Sequence, residues 1–424
     1  MSEHSHHGHS HRWVLCPHCD MTIKLPGLTP GTRAICPRCE TTISTAWHEP
    51  LRRPMAYAFS ALVMLALANV FPFISISVMG MTNQISLLQI PQAMVDDRYR
   101  FLATIFLLFV QIIPATCLVA ILLLTLNKRL SPILSIPLAK GLFYLKNWGM
   151  AEIFLAGVLV SFVKLMAYGK IGLEMGFWPW CLFCLCQLRA FQCLERHVIW
   201  QRISSVPPLP ITPTAGISGL AQNLRSCPCC TAIVLADNPV CPRCHQRGYA
   251  RKPQSLQWTL SLLVTSVILY IPANIMPIMV TDALGSASGS NIMAGVIFLW
   301  NEGSWPIAMI IFIASILVPS MKILAIGWLS WNAGGYGARD NHRMQVVYEI
   351  VEFVGRWSMV DVFVIAVLSA LVRMGSLMNV YPAEGALLFC LVVILTMFSA
   401  QAFDPRLLWD RESIKKHEEE SIEQ

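Results

Sequence analysis

The sequence predicts an all-α polytopic membrane protein with eight spans in two tandem four-helix modules, each module preceded by a small cysteine-rich ribbon. The chain is 55% hydrophobic and 13% charged, with a mean hydropathy of +0.57, whereas a soluble domain carries about 25% charged residues. Apolar runs of roughly 20 residues, enough to cross a ~30 Å hydrocarbon layer as a helix, recur along the chain. Cys-x-x-Cys knuckles occur in two pairs.

An internal repeat organises the apolar part of the chain. A Trp, a Met, an acid and a base recur in the same register, 209 positions apart. These pairs are Trp148 and Trp357, Met150 and Met359, Glu152 and Asp361, and Lys164 and Arg373. A second element, Ala-Asn-x-x-Pro, recurs 205 positions apart and contains Asn69 in one copy and Asn274 in the other. Repetition in register indicates an internal duplication.

The first 50 residues are predicted to hold a polar tail and the first ribbon. The tail is either a weak metal-gathering segment or a disordered terminus. Its histidines are His4, His6, His7, His9 and His11.

The two pairs of knuckles predict two structural zinc sites. Four thiolates from paired Cys-x-x-Cys knuckles are typical of a zinc ribbon with no open coordination position. The predicted ligands are Cys16, Cys19, Cys36 and Cys39 in the first ribbon, and Cys227, Cys230, Cys241 and Cys244 in the second. Cys229 is a spare thiol, because only Cys227 and Cys230 keep the two-residue spacing. A redox dithiol is the alternative, but no thioredoxin-like βαβ pattern surrounds the knuckles.

The repeat and the ribbons together predict the order of domains. The segments are a His-rich tail with the first ribbon (1–50), the first module (51–202), a Pro-rich linker (203–224), the second ribbon (225–252), the second module (253–409) and an acidic tail (410–424). The predicted spans are about 55–79, 101–126, 148–168, 176–199, 257–280, 305–328, 357–374 and 384–403.

The distribution of basic residues predicts the orientation. Lys and Arg are concentrated in the ribbons, the 127–146 loop and the 189–202 segment, whereas the loops on the other side of the spans hold few. The positive-inside rule therefore places both ribbons and both termini in the cytoplasm. A reducing cytosol also suits thiolate–zinc sites.

Charged residues inside the predicted spans are functional candidates, because burying them in a bilayer is costly. Lys322 and Asp361 lie on adjacent, oppositely directed spans at similar depth, so we expect an ion pair. The pair is either a structural brace or a proton- or substrate-responsive site. Glu152 has no such partner, because Cys117 occupies the position that matches Lys322.

The remaining polar candidates lie nearer the ends of the spans. Lys164 and Arg373 are expected to extend to the outer interface or to lipid phosphate. Asn69 and Asn274, each three residues before a proline, are expected to interrupt their helices and to need another helix or a polar cavity. No phosphate-binding loop, nucleophile elbow or His-Glu-x-x-His motif occurs, so we do not expect an enzyme.

Taken together, these motifs resemble the paraquat-inducible protein A family of Gram-negative inner membranes. The resemblance covers nearly the whole chain: a Cys₄ knuckle pair before each four-helix block, Ala-Asn-x-x-Pro in each first span and Trp-x-Met-x-acid in each third span. It implies a periplasmic partner built of mammalian-cell-entry (MCE) domains, which forms a hydrophobic tunnel, often with an outer-membrane lipoprotein. It also implies movement of phospholipid or other lipophilic molecules between the two membranes.

The sequence therefore predicts an inner-membrane lipid-transport subunit that supports outer-membrane integrity and stress resistance. A cleft between the spans would carry the lipid, with Lys322 and Asp361 in its polar part. The alternative is a membrane scaffold in which the ribbons sense zinc or oxidant and the spans only anchor. Metal export is weakened by the shortage of ligand residues in the spans.

Overall fold

The computed structural model describes most of the chain, and the predicted His-rich tail and nearly all of the acidic tail lie outside the described residues. The described ranges are 12–78, 81–126, 131–165, 170–205, 208–209, 211–283, 286–301, 303, 305–335, 341–373 and 378–410. The molecule is mostly helical.

The first ribbon, residues 12–45, consists of two β-hairpins. Its strands are β1 (Arg12–Leu15), β2 (Thr22–Leu25), β3 (Arg33–Ile35) and β4 (Thr42–Thr45). β1 pairs antiparallel with β2, and β3 with β4. One Cys-x-x-Cys knuckle lies between the two strands of each hairpin.

The first helical half follows the first ribbon. Its elements are α1 (Arg52–Val70), β5 (Ile74–Val78), β6 (Met81–Ile85), α2 (Gln89–Asp96), α3 (Arg100–Phe106), α4 (Ile113–Leu126), α5 (Pro132–Leu145), α6 (Ala151–Leu165), β7 (Lys170–Leu173), α7 (Phe177–Cys193) and α8 (Arg196–Ile203). A π-helical segment, Leu107–Ile112, joins α3 to α4.

The second ribbon has one β-hairpin, and the second helical half repeats the order of elements from α1 to α7. The elements are β8 (Leu224–Ser226), β9 (Ile233–Leu235), α9 (Ser255–Ile275), β10 (Met279–Ala283), β11 (Ser286–Ser290), α10 (Ile292–Asn301), α11 (Trp305–Phe312), α12 (Val318–Gly334), α13 (Asn341–Trp357), α14 (Val360–Leu371), β12 (Met378–Pro382) and α15 (Glu384–Ala402). A π-helical segment, Ile313–Leu317, joins α11 to α12.

Seven helices among the described residues are long and apolar enough to cross a membrane. Counted with adjoining helical segments taken together, they are Arg52–Val70, Arg100–Leu126, Pro132–Phe162, Ser255–Ile275, Ala308–Gly334, Asn341–Leu371 and Glu384–Asp410. The helix at the eighth predicted span, α7, has 17 residues and is about 25 Å long. The chain is therefore a multi-pass membrane protein.

Two small sheets correct the prediction that the membrane part is all helical. Strands β6, β5 and β7 form one antiparallel sheet in that order, and β11, β10 and β12 form the other. Each sheet joins the loop after the first helix of its half, α1 or α9, to the loop before α7 or α15. The predicted spans 55–79 and 257–280 wrongly include β5 and the start of β10, and the other strands lie between predicted spans. Strands of five residues or fewer are too short for a clear alternating pattern.

Proline and glycine shape the ends of the helices in both halves. Pro72 and Pro277 lie just beyond the ends of α1 and α9, so they stop these helices rather than kink them. Gly176 and Gly385 donate backbone hydrogen bonds to the carbonyls of Pro72 and Pro277, at 2.8 and 3.0 Å. A Cβ at either glycine would lie 2.6–2.7 Å from a carbonyl oxygen, so no larger residue fits.

The two halves meet along α6 and α14, which are equivalent helices of the repeat. Phe154 and Phe363, 209 positions apart, contact each other edge to face with centroids 6.0 Å apart. Gly157 lets the helices approach closely, since a Cβ there would lie 3.1 Å from the Cβ of Phe363. Because equivalent residues touch each other, the contact lies on the approximate symmetry axis of the repeat.

Each ribbon packs against the opposite half of the molecule. The first ribbon contacts α13 and the residues after α15: Gln345 Nε2 donates to Thr41 Oγ1 at 2.7 Å, and the Arg38 guanidinium lies 4.7 Å from the Trp409 ring centroid. The second ribbon contacts the first half, where Arg196 donates to the Pro228 carbonyl at 3.1 Å. Each ribbon therefore crosses over to the other half, and the first ribbon also contacts its own half, where the backbone N–H of Thr45 donates to Glu195 Oε1 at 2.9 Å.

Part of the predicted linker is built into the first ribbon. The backbone N–H groups of Thr22 and Gly216 donate to the carbonyls of Ile217 and Thr22, at 2.9 Å each. Leu15, Leu224 and Ile233 form a small apolar cluster between the two ribbons. The ribbons and residues 216–224 consequently form one continuous structure.

Candidate functional site

The four knuckles have one backbone design. In each, the backbone N–H of the residue after the second cysteine donates to the carbonyl of the first cysteine: Asp20 and Glu40 donate to the carbonyls of Cys16 and Cys36 at 3.0 and 2.9 Å. The second ribbon repeats this pattern at Thr231 and His245. All four closing residues have φ between +54° and +60°, a left-handed conformation that is uncommon outside glycine. This strained backbone conformation allows each knuckle to turn its two sulfurs toward one point.

The knuckles bring together two buried clusters of four cysteines that could each hold a metal ion. In the first cluster, Cys16 Sγ lies 3.4 Å from Cys39 Sγ, and Cys19 Sγ lies 3.5 Å from Cys36 Sγ. In the second, the Cys227–Cys244 and Cys230–Cys241 sulfur distances are both 3.5 Å.

These sulfur positions suit a tetrahedral thiolate site. All sulfurs of a cluster lie within 4.8 Å of one another, and four sulfurs at ~2.3 Å from a central zinc would be about 3.8 Å apart. Cys229 lies outside the four-sulfur cluster and is only half-buried. The geometry thus selects the cysteines with the two-residue spacing.

Lys322 lies at a cavity of about 490 Å³ beside the first ribbon, which we call the ribbon-side cavity. Its side chain is 3% exposed, and Nζ donates to Thr396 Oγ1 at 3.0 Å and to the Gly355 carbonyl at 3.4 Å. The absence of a side chain at Gly355 lets the lysine cross α13, since a Cβ there would lie 3.1 Å from Nζ.

Asp361 lines a different cavity, of about 450 Å³, under the second sheet, which we call the sheet-side cavity. Most of its wall is apolar, and the polar residues beside Asp361 are Thr281, Ser288, Ser290, Asn291 and Ser315. The predicted ion pair between Lys322 and Asp361 is therefore not formed between these two described side chains. Lys322 faces α13 and α15. Asp361 lies in the first turn of α14, beyond the break at Ser358–Met359. This break changes the direction of the Asp361 side chain.

Arg373 binds protein rather than extending to the interface. Its guanidinium donates to Asp97 Oδ2 at 2.5 Å and to the Ala93 carbonyl at 2.7 Å, at the C-terminal end of α2. Burial raises the pKa of Asp97, and the charge of Arg373 offsets this only in part. This ion pair joins the second half of the molecule to the first.

The other predicted polar residues have local roles or fall outside the described side chains. Asn69 and Asn274 each donate to the carbonyl four residues earlier, Leu65 and Tyr270, at 2.8 Å. Glu152 lies in the first turn of α6, as Asp361 does in α14, where a carboxylate suits the helix dipole. Lys164 lies on α6, but its side chain is outside the described part of the chain.

The first half has a lysine close to Cys117, the residue that matches Lys322 in the repeat. Lys146 is equivalent to Gly355, and Cys117 is equivalent to Lys322, at offsets of 209 and 205. Lys146 and Cys117 are close enough to interact electrostatically, and Lys146 Nζ donates to the Phe191 carbonyl at 2.7 Å. The two halves therefore both carry a lysine at this helix junction, but from opposite helices.

A charged cluster ties the first ribbon to the chain on both sides of the second half. Arg251 donates to Asp20 Oδ2 at 2.8 Å and to Asp410 Oδ1 at 2.6 Å. Burial alone would lower the pKa of Arg251, but the hydrogen bonds and charges of both acids outweigh it and raise the pKa. The guanidinium stays charged and holds three segments together.

His197, near the junction of the ribbons, is kept neutral by its surroundings. Burial is the main cause that lowers its pKa to about 4, and the positive charges of Arg12 and Arg243 lower it further. Its neutral form is therefore built into the packing of α8 against the ribbons.

The family model described as "Paraquat-inducible protein A" matches residues 51–204 and again residues 256–413. The chain belongs to this family. The two matches coincide with the two helical halves, so the family unit is one half of this molecule.

Curated relatives of the family cover almost the whole chain. The "Intermembrane transport protein PqiA" of Escherichia coli K12 is 60% identical over 97% of this chain and 99% of that protein. The "Lipophilic envelope-spanning tunnel protein A" of E. coli K12 is 28% identical over 93% of this chain and 90% of that protein. A "Probable intermembrane transport protein" of Haemophilus influenzae is 28% identical over 94% and 96%. No solved structure matches the chain.

Several residues of these two cavities were missed by reasoning from the sequence. Arg356 and Asn147, which are equivalent in the repeat, both line the ribbon-side cavity. Thr396 holds Lys322 but lies in an apolar run without any distinguishing pattern. The constant offset of 209 could have paired Lys146 with Gly355; the cavity that the ribbon helps to form required the tertiary structure.

Proposed function

We propose that this protein is the inner-membrane subunit of an envelope-spanning lipid transport system. It would exchange phospholipid or other lipophilic molecules with a periplasmic MCE-domain tunnel protein, and so contribute to outer-membrane integrity. The observation that carries the proposal is near-full-length similarity at 60% identity to a protein named for intermembrane transport. The name of a second relative, an envelope-spanning tunnel protein, supports the lipophilic cargo.

The proposed architecture is two tandem four-helix modules, residues 51–202 and 253–409, with eight spans. The two family matches, the identical strand order of the two sheets and the two π-helical segments support a duplication. The helix α7 would be the eighth span, because it occupies the place that α15 has in the second module. Residues 203–224 would be the boundary between the modules.

Both ribbons and both termini would be cytoplasmic, and the two sheets would face the periplasm. The ribbons precede α1 and α9, whereas the sheets follow them, so they lie on opposite sides of helices of 19 and 21 residues. Basic residues concentrated on the ribbon side support this orientation. The MCE-domain partner would dock on the sheet side, and an outer-membrane lipoprotein would join it farther out.

The metal in both cysteine clusters would be zinc. Four thiolates in a closed cluster suit Zn²⁺ better than hard cations, which prefer oxygen ligands. With all four positions taken by protein, the metal would stabilise the ribbons and would not catalyse a reaction. We accordingly propose no enzymatic activity.

The sheet-side cavity would hold the apolar part of the cargo. Its volume of about 450 Å³ and its largely apolar wall support this assignment. Asp361, in the wall of the same cavity, would respond to cargo or to a proton gradient. Lipid exchange that is independent of a pH gradient would exclude the proton-driven form of this hypothesis.

A second candidate function is a zinc- or oxidant-responsive scaffold. The observation that favours it is the position of His18, Glu40 and Thr41 of the first ribbon in the wall of the ribbon-side cavity. Loss of zinc there would alter the cavity directly. Partner binding that changes on mild oxidation, without any lipid exchange, would support this function over transport.

The deciding experiment is lipid exchange by the full-length protein between labelled and unlabelled vesicles, in the presence of the MCE-domain partner. Lys322→Ala and Asp361→Ala are compared with wild type, and bound lipid is extracted from each for mass spectrometry. Transport predicts exchange by the wild type and loss of defined lipid in folded variants. If the wild type exchanges no lipid, the transport function is refuted. If the variants keep their lipid and change only thermal stability, Lys322 and Asp361 are structural residues.

A further inference from the structure

The ribbon-side cavity contains charges of both signs at the junction of the two halves. Lys322, Arg356 and His18 are basic or titratable, and Glu349 and Glu352 are acidic. Because equivalent residues of the two halves, Asn147 and Arg356, both line the cavity, it lies near the axis of the repeat.

The buried ammonium of Lys322 is not neutralised by the protein. Its two acceptors among the described residues, Thr396 Oγ1 and the Gly355 carbonyl, are uncharged, and no described carboxylate forms an ion pair with it. A lysine has three N–H donors, so one remains for another group. A buried charge without a counter-charge is costly, and an anion bound in the cavity would remove that cost.

Two further charged groups in the cavity, Arg356 and Glu352, have no side-chain hydrogen bond among the described residues. They lie four residues apart on α13 and form no ion pair with each other. Pairs at this spacing commonly interact on helices, so the two groups are separated here within one wall. His18 Nδ1 is also buried without a hydrogen-bond partner among the described residues.

Apolar residues on the same wall lead toward the membrane. Val351, Met397 and Ala400 line the cavity beside the charges, and Phe353 is 59% exposed. A ligand that places a charged group beside Lys322 could therefore extend an apolar chain past Phe353 into the bilayer. A free inorganic anion would use only the charged part.

We propose that the ribbon-side cavity binds a zwitterionic phosphate–amine group of the phosphoethanolamine type. Lys322 and Arg356 bind the phosphate, and Glu352 and Glu349 accept hydrogen bonds from the ammonium group. The source to which the apolar wall points is the headgroup of phosphatidylethanolamine; a soluble phosphoethanolamine ester has the same chemistry. This inference rests on the proposed lipid-transport function and adds the class of lipid to it.

The test is lipid binding to the delipidated full-length protein in detergent, measured by native mass spectrometry. Phosphatidylethanolamine, phosphatidylglycerol and glycerophosphoethanolamine are titrated separately. We expect phosphatidylethanolamine to bind at least about fivefold more tightly than phosphatidylglycerol, since charge-assisted hydrogen bonds to the ammonium group favour it. If glycerophosphoethanolamine binds as tightly as the lipid, the ligand is the soluble ester.

Two substitutions separate the phosphate from the amine. Arg356→Gln is expected to weaken the binding of both lipids about tenfold. Glu352→Gln is expected to abolish the preference for phosphatidylethanolamine while leaving phosphatidylglycerol binding unchanged. Neither disturbs a hydrogen bond between described residues. The matched control is Arg52→Gln, whose side chain is 80% exposed in an i,i+3 pair with Glu49; it should bind both lipids as the wild type does.

The inference is overturned if the wild type binds the two lipids equally and neither cavity variant changes this. Vesicle exchange separates this failure from failure of the proposed function. Exchange without headgroup preference would refute the headgroup site and leave transport standing. Selective binding without exchange would refute transport and leave the site standing.

Discussion

At the scale of single residues, two neighbouring cysteines that differ in the spacing of their knuckle also differ in their position in the structure. Cys229 and Cys230 are neighbours, yet only Cys230 contributes its sulfur to the buried cluster. The reason is the hydrogen-bonded knuckle, which turns the first and fourth residues inward and leaves those between them on the outside.

Metal content tests this distinction directly. The full-length protein is expected to contain two zinc ions per chain, one for each cluster. Cys227→Ser should leave one, because three thiolates hold zinc less tightly than four, whereas the matched control Cys229→Ser should keep both. Elemental analysis of the purified proteins measures the ratio. Loss of zinc from the Cys229 variant equal to that from the Cys227 variant would contradict the assignment.

The lowered pKa of His197 predicts a pH dependence of stability. Its pKa is about 4 in the folded protein and about 6.5 in an unfolded chain. Between these values the unfolded chain binds a proton that the folded protein does not, so the free energy of unfolding decreases as the pH falls from about 6.5 toward 4.

His197→Gln should remove that part of the dependence. Above pH ~7 both proteins have their histidine or glutamine neutral, and the difference between their unfolding temperatures should be constant. Below pH ~6.5 the wild type should lose stability faster. Thermal unfolding in detergent across this range measures the difference in unfolding temperature between the two proteins. Both proteins share the acid sensitivity of their thiolates, so this contribution cancels in the difference. Parallel curves down to pH 4.5 would refute the interpretation.

At the scale of elements, the lysine exchange between the halves is the least expected feature. The sequence places Lys322 in the second half opposite Cys117 in the first, which looks like loss of the charge from the first half. The structure has Lys146 on the facing helix instead. Both halves therefore place an ammonium group near this junction, on different helices.

Exchanging the two positions tests this interpretation. Lys322→Cys should reduce the free energy of unfolding by about 1–3 kcal/mol, because Thr396 and Gly355 lose a charged donor. Adding Gly355→Lys should recover most of that loss, since it reproduces the arrangement in the first half. Denaturation of all members of the mutant cycle gives the coupling. A double variant less stable than Lys322→Cys alone would contradict equivalence of the two sites.

At the scale of the whole molecule, the crossed ribbons couple the two halves. The first ribbon is joined covalently to α1 but contacts α13 and Trp409. The second is joined to α9 but contacts α8 and Ser204. We therefore expect metal binding in one ribbon to stabilise the half to which that ribbon is not directly connected.

Hydrogen exchange of the full-length protein measures this coupling. Replacing Cys16 and Cys36 with Ser should increase exchange in α13 (Asn341–Trp357) more than in α5 (Pro132–Leu145), because the disrupted ribbon packs on α13. Replacing Cys227 and Cys241 should give the opposite order. If each pair of substitutions loosens the half that follows it in the chain, the crossover does not govern stability.

The sequence by itself determined the membrane class, the repeat and the identity of the eight clustered cysteines. These features depend on local properties: apolar length, register between two copies and the spacing of ligands within one turn. The repeated Trp-x-Met-x-acid element also marked where the third predicted span of each half begins, and α6 and α14 begin there, at Ala151 and Val360.

Only the tertiary structure decided which charges meet. Lys322 binds Thr396 and Gly355 and not Asp361, Arg373 binds Asp97 of the other half, and the first ribbon forms part of a cavity some 300 residues away in the chain. Depth in a membrane can be estimated from the sequence, but the direction of a side chain depends on helix rotation and on breaks. Packing between distant helices sets both, so contacts across the two halves could not be predicted from either half alone.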